Sequence, residues 1–343
     1  MASNGQLRGA LLEEAVAWLL ESIGYRILNA GDVGVEAGAA GINVRGRGAL
    51  HQIDTLAGFD ATPAFMFPLR LLLEAKCYEK KVGLPIVRNS VGVVKDISEN
   101  YFTLPGRSHS REIQIQRFNY HAAIFASNGY TRPAQEYAVA HQVFLIDYKG
   151  IRAIVPLIDA LRNLSLTKSQ LNGIESLGSV RRCFAAAIRG EAPNRECEAD
   201  EHVPYAAFSR HVSEIRGSYF GMLQGRWPVH LLSRKPLPPE LFRDTDVIKC
   251  RVWGRISENW SFTPVDVPEG DPRFFRLDFR LPEVVGELIA EASGSPMRIA
   301  DLKEDLFSYL ILAGRIGGIQ RIVRLVLDRA WIDEYRRRFN AAV

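Results

Sequence analysis

The stretch "LRLLLEAK", residues 69–76, carries an apolar run into Glu74-Ala75-Lys76. Side chains on a strand alternate between its faces, so Leu72, Glu74 and Lys76 share one side and Leu71, Leu73 and Ala75 the other. A carboxylate and an ammonium therefore leave the core together. Upstream, "HQIDTLAGFD" reads as another strand and carries Asp54. If the two strands adjoin in one sheet, Asp54, Glu74 and Lys76 gather at one edge. Two facing carboxylates repel unless a cation lies between them. Hard oxygen ligands of this kind suit Mg²⁺, which keeps several waters and takes one or two protein carboxylates plus substrate phosphate. The ion lowers the pKa of its water and neutralises charge developing on a phosphate, and a neighbouring lysine could hold that water or help deprotonate it. Asp, then Glu-x-Lys on the next strand, is a set for phosphodiester hydrolysis. The plain alternative is a solvated strand end with a surface ion pair worth about 0–1 kcal/mol.

The elements around these residues read as an α/β sheet flanked by helices. Apolar positions from Leu7 to Ile23 recur at helical spacing, with Gly24 as a C-cap. "YRIL" is a short strand, and residues 29–51 are a glycine-rich, flexible region without phosphate-loop spacing. After "LRLLLEAK", Gly83 and Pro85 precede a helix at 86–100, and 103–117 is polar and loop-like. "YHAAIFASNG" is a strand, "RPAQEYAVAHQ" a helix and "VFLIDY" a strand. The character changes near residue 165, which divides the chain into domains at 1–165 and 166–343. The second domain is expected to be mixed α+β. It opens on helices, passes through the charged "EAPNRECEADEHVPY" and proline-punctuated strands, and closes on helices: "VGELIAEA", "IADLKEDLFSYLILAG" and "GIQRIVRLVLDRAWIDEYRRRF".

In this order, the residues resemble the PD-(D/E)xK nuclease superfamily, with its restriction-endonuclease-like mixed sheet. "EEAVAWLLESIGY" is similar to the first helix of the Mrr-like branch, where a glutamate, here Glu13, lies eleven residues before a Gly-Tyr pair, here Gly24-Tyr25. "HQID" resembles the strand bearing the family's metal-binding aspartate, with Ile53 where a proline is usual. "NYHAAIFASNGYTRPAQEYAVAHQVFLIDY" is similar to the branch's distal strand, helix and strand, so the likeness spans roughly residues 5–150. The resemblance implies that Asp54, Glu74 and the Ala75 carbonyl bind metal, that Lys76 orients or activates water, and that Glu13 reaches the metal cluster. It further implies a Mg²⁺-dependent endodeoxyribonuclease, with Mn²⁺ as a substitute, cutting double-stranded DNA as a homodimer in restriction or another defence against foreign DNA. A junction-resolving or repair nuclease is one alternative. A catalytically silent nucleic-acid-binding or sensor protein on the same fold is another.

Other residues divide between two readings each. Arg45 and Arg47 in "NVRGRG", Lys80 and Lys81 in "YEKK", and Arg88 either contact DNA phosphates or belong to solvated surface. His51 either assists a metal or is structural. Cys77 alternates to the core face and reads as a buried small residue, and Asp147 as a turn or cap. His202 and His211 lack metal-ligand spacing, and the aromatics of "RVWGRISENWSF" either stack bases or build core. Cys77, Cys183, Cys197 and Cys250 lie far apart with no CxxC, so no disulfide framework or zinc site is expected and a reducing cytoplasm is the simplest home. Net charge is +4 over 343 residues, while residues 1–150 hold 15 Lys+Arg against 14 Asp+Glu, so nucleic-acid binding would come from local placement. No apolar run approaches the roughly 20 residues of a membrane helix, and two glutamates interrupt the first apolar stretch, unlike a signal peptide.

Overall fold

The structure, a computed structural model, describes residues 3–38, 41–59, 62, 64–100, 117–193, 195, 197, 202–254, 259–292 and 294–340. The 103–117 loop thus lies almost wholly outside the described residues, as do parts of the charged 191–205 stretch and of "RVWGRISENWSF". The chain divides into two compact units, Met1–Leu145 with Leu161–Ala206, and Ile146–Ala160 with Ala207–Val343. Residues 166–206, assigned by sequence to the second domain, therefore pack with the first.

The first unit is mixed α/β. Helix α1 (Asn4–Ser22) begins at a Ser3 capping box with Gln6 and ends before Gly24, whose positive φ matches its place just past the helix. The main sheet has the order β1 (Arg26–Ile27), β5 (Thr55–Phe59), β6 (Leu69–Lys76), β7 (Asn119–Ala126), β8 (Phe144–Asp147). The β5–β6 pair is antiparallel and β6–β7 parallel, in a register that puts Leu72 beside Ala122 and Glu74 beside Ile124. That face is covered by α2 (Leu84–Ser98) and α3 (Arg132–Ala140), through a core containing Val87, Ala122, Ile124 and Ala134. The other face of β6 meets α1. After helices α4 (Val155–Asn163) and α5 (Lys168–Gly173), helix α6 (Leu177–Arg189) packs on α1 in turn, and the Arg8 guanidinium donates to the Leu164 carbonyl at 2.8 and 2.9 Å. With partners on two sides, α1 buries Leu7, Leu11, Leu12, Ala15, Val16, Leu19 and Leu20. Its apolar band is wider than the single stripe of a surface helix.

The described residues of the glycine-rich region form strands, where a flexible region was expected. It holds β2 (Val35–Gly38) and β3 (Gly41–Arg45), which with β4 (Leu50–Ile53) form a three-stranded antiparallel sheet. Val35, Val44 and Ile53 supply its buried side, packed against Leu56, Leu72 and Ile97. Asp96 on α2 clamps the β3–β4 turn by accepting from the Gly48 and Ala49 amides at 2.8 and 3.1 Å and pairing with His51 Nε2 at 2.7 Å. The His51 hydrogen bond, with the two amides, holds the Asp96 carboxyl below the usual carboxylate range. Gly46 is required here, because a Cβ would overlap the Asp96 carboxylate. His51 is therefore structural.

The second unit is a closed barrel in the order β10 (Trp227–Ser233), β13 (Leu277–Phe279), β12 (Trp260–Pro264), β11 (Val247–Gly254), β15 (Ile319–Leu327), β14 (Tyr309–Ile316), β9 (Gly217–Leu223). Two sequence expectations change. "SYLILAG" and "GIQRIVRLVL" are strands, and the last helix starts only at Arg329. The alternation of buried Val323, Leu325 and Leu327 with exposed Ile322 and Arg324 is the period of a strand, not a helix. Trp260, Phe262 and Phe279 are core, packing with Phe307, whereas Trp253 is half exposed and packs on Trp331. Asp147 closes a turn, accepting from the Lys149 amide at 2.8 Å and pairing with Arg280 at 3.3 Å. No helix among the described residues is long and apolar enough to cross a membrane.

A further correction concerns cysteine. Cys183 on α6 is bonded to Cys197, closing a separation of 14 residues, while Cys77 and Cys250 are free and buried. A loop of this length is worth about 3 kcal/mol by the chain-entropy argument. Reduction, or Cys183→Ser with Cys197→Ser, should lower the first unit's denaturant midpoint accordingly, and an unmoved midpoint under reductant would show that the bond contributes nothing. Asp96→Ala should speed amide exchange at Gly48 and Ala49 without altering exchange in β6, read by hydrogen–deuterium exchange.

Candidate active site at the end of β6

The β5–β6 ladder ends at Thr55 opposite Leu73, so Asp54 and Glu74 come next on either side of the opening. Asp54 is the single residue between β4 and β5, where the chain leaves the small sheet and enters the main one. Freed from both ladders, its carboxylate is 44% exposed. Asp54 and Glu74 line one cavity of about 130 Å³ with Gln52, Asn89, Ser90 and Val93. The adjacency expected of the two strands is thus present.

Glu74 and Lys76 do point the same way. Lys76 Nζ lies 2.8 Å from Glu74 Oε1, and Ser90 Oγ on α2 donates to Glu74 Oε2 at 3.0 Å. Both side chains are half-buried, which separates the pair from the solvated strand end considered above. Burial alone would push the lysine down, but the charge and hydrogen bond of Glu74, helped by Glu13, leave its pKa above the ordinary lysine value. Lys76 is a cation at neutral pH.

Glu13 arrives from the helix on the opposite face of β6. It is 5% exposed, and the Ala75 amide approaches its Oε1 at 3.5 Å. Beyond the end of β5 that amide has no strand partner on this side, so the carboxylate caps it. Ala75 itself is fully buried, and Gly9 lets α1 pass close to the Ala75 carbonyl. Desolvation pushes the Glu13 carboxyl up to about 7 against the pull of Arg181, with the Asp54 charge adding to the rise.

Arg181 is the residue that sequence reasoning missed. From α6 its guanidinium pairs with Glu13 Oε2, donates to the Asp54 main-chain carbonyl at 2.9 Å, and lies 3.8 Å from Asp54 Oδ1. The signal was present: Leu177, Val180, Arg181 and Phe184 follow the i, i+3, i+4, i+7 stripe of an amphipathic helix. A cation on that stripe requires a buried anion.

The five basic residues expected on DNA fall into two places. Lys80, Lys81 and Arg88 are exposed just past β6 and on α2, with the Arg88 guanidinium 5.5 Å from the Tyr137 ring. Arg45 and Arg47 are exposed at the far tip of the β3–β4 hairpin, where Arg47 meets Glu99 at 3.6 Å. From Ser90 to Asp96, α2 separates that tip from the site by about 9 Å of helix rise.

The acidic donors lining the cavity are the Asp54 and Glu74 carboxylates, whereas Ala75 does not line it and its carbonyl lies near Gly9 of α1. That donor chemistry fits a hard divalent cation. Among the described residues, no group of three or more His, Cys, Asp or Glu forms a ready metal cage.

No model of a known protein family matches the chain, and no curated protein does. A crystal structure of a protein of unknown function, AF1548, is similar at a TM-score of 0.33 and 17% identity, over 59% of this chain and 97% of that one. A likeness at that level assigns neither fold nor function.

Because a free glutamate ionises near 4.5 while Glu13 holds its proton to about 7, the folded state binds the extra proton between those values. Stability should therefore fall as pH rises from about 4.5 to about 7. Urea unfolding across that range should show a smaller loss in Glu13→Gln, and identical slopes would refute the assignment.

Proposed function

We propose that the first unit is a Mg²⁺-dependent endodeoxyribonuclease of the PD-(D/E)xK type, cutting double-stranded DNA in restriction or another defence against foreign DNA. The observation that carries this reading is the pairing of Asp54 and Glu74 across the open end of β5–β6, with Lys76 on the Glu74 side. Asp54 and Glu74 would hold the ion, which when bound supplies Lewis-acid charge at the phosphate and acidifies water.

The chain's own groups have distinct tasks. Lys76, paired with Glu74, would orient water and place positive charge beside the phosphate oxygens. Its ion pair and Ser90 together fix one Glu74 rotamer. Glu13 holds the Ala75 amide, and with it the strand end. Exposed Lys80, Lys81 and Arg88 would track the duplex backbone. One such site cuts one strand, so double-strand cleavage calls for a homodimer.

The guanidinium beside Asp54 favours one alternative, a silent nucleic-acid-binding protein on a nuclease fold. Supercoiled plasmid incubated with the full chain separates the two. Cleavage should need Mg²⁺ or Mn²⁺, stop with chelator, and drop by about 100-fold or more in Lys76→Ala and in Asp54→Asn. DNA binding without cleavage under any divalent ion would favour the silent reading instead.

A further inference from the structure

Arg181 places a permanent positive charge between Asp54, which the nuclease reading assigns to the metal, and Glu13, which holds the Ala75 amide. Its two halves differ. The half facing Glu13 is buried, with the carboxylate 5% exposed and the guanidinium group's side chain 17% exposed. The half facing Asp54 is open: the carboxylate is 44% exposed and the separation is 3.8 Å, beyond hydrogen-bond length. Arg181 Nε is buried and makes no hydrogen bond among the described residues. The guanidinium is thus held by Glu13 on one side and by the Asp54 main-chain carbonyl on the other, and the Asp54 carboxylate alone is left beyond hydrogen-bond length.

We propose that Arg181 is the resident cation of this site, and that it competes with a divalent metal for the Asp54 carboxylate. The inference rests on the nuclease reading and deepens it: α6 sets how readily the site is loaded. In the structure as it stands, Arg181 balances Asp54. With a divalent ion at Asp54, the Arg181 guanidinium would be pushed toward Glu13, which would keep it in the protein.

Arg181 also donates to the Asp54 main-chain carbonyl, and that contact acts in the opposite sense, by positioning the ligand. The competing charge outweighs it because the main chain at Asp54 is fixed without Arg181. On one side Ile53 pairs with Ile42, and on the other Thr55 pairs with Leu73. Losing the hydrogen bond leaves both ladders intact, whereas losing the charge removes repulsion of an ion carrying two charges.

The test is Mn²⁺ affinity of the full chain, from the electron paramagnetic resonance signal of free Mn²⁺ during titration, with Arg181→Met and Arg181→Lys. Arg181→Met should bind Mn²⁺ about tenfold more tightly than wild type, and Arg181→Lys should stay close to wild type. Should Arg181→Met fail to fold with Glu13 left unpaired, the same comparison is made between Glu13→Gln and Glu13→Gln/Arg181→Met, where no buried carboxylate is stranded. Equal or weaker binding in the charge-deleted member of either pair overturns the inference and makes Arg181 a buttress for Asp54, while leaving the nuclease reading in place. Absence of Mn²⁺ binding in wild type and variants alike, with no cleavage, overturns both.

Discussion

A carboxylate buried under a helix is the constraint around which the first unit is organised. Glu13 sits on the inner part of α1, between the sheet and α6, where an uncompensated charge is expensive to hold. It has two partners, the Ala75 amide at the strand end and the Arg181 guanidinium from α6. Deleting one partner of such a pair typically costs about 3–5 kcal/mol, far more than the pair contributes over an apolar replacement. The ion pair is therefore a weak reason for the fold to be stable and a strong reason for α6 to stay on α1. That explains why the compact unit extends to residue 206, well past the end of its sheet. The Cys183–Cys197 bond, two residues from Arg181, ties the same helix to the segment that follows it.

The other side of the site follows from strand lengths. β6 has eight residues and β5 five, so β6 runs past its antiparallel partner at Glu74, while parallel β7 continues alongside it as far as Ala126. A strand that outlives one neighbour presents amide and carbonyl groups to that side with no ladder to take them. Glu13 takes one. The side chain of Glu74, on the face of Leu72, leaves the core where the cavity opens beneath α2, with Lys76 paired to it. Polar chemistry is placed at the end of the central strand β6, where fixed backbone meets solvent access.

The barrel unit spends its polar side chains differently. His230 bridges the Tyr148 hydroxyl at 2.7 Å and Ser218 Oγ at 2.8 Å, a Tyr–His–Ser chain with the look of a catalytic set. It is sealed from solvent, and desolvation drives the His230 imidazole down to about 3, so it is neutral across the physiological range. Its hydrogen bonds hold Tyr148 to the barrel wall, as Arg280 and Asp278 hold Asp147 and Arg152 nearby. Polar satisfaction is here a means of attaching the Ile146–Ala160 segment to β9 and β10.

What could be read in the sequence was what depends on a local period. Alternation along "LRLLLEAK" placed Glu74 and Lys76 on one face, and the spacing of Leu7 to Ile23 placed α1. The three-stranded sheet was hidden because glycine is read as flexibility, whereas Gly46 is small so that Asp96 can enter. The closing strands of the barrel were read as helix because "RIVRLVLDRAW" fuses a strand to a helix with only Asp328 between them. The disulfide was out of reach, and Arg181 was legible only as a cation on a buried stripe. Each acquires meaning only from a partner that local period does not define: Cys197 across a loop, Glu13 across 168 positions and the Asp54 carbonyl across 127. Periodicity shows which face of α6 is buried, and Arg181 lies on it; that a guanidinium sits on a buried stripe already says that an acid must be waiting on the helix it covers. The sequence offers two on α1, Glu13 and Glu14, and the tertiary packing alone selects between them by turning Glu13 to the open end of β6.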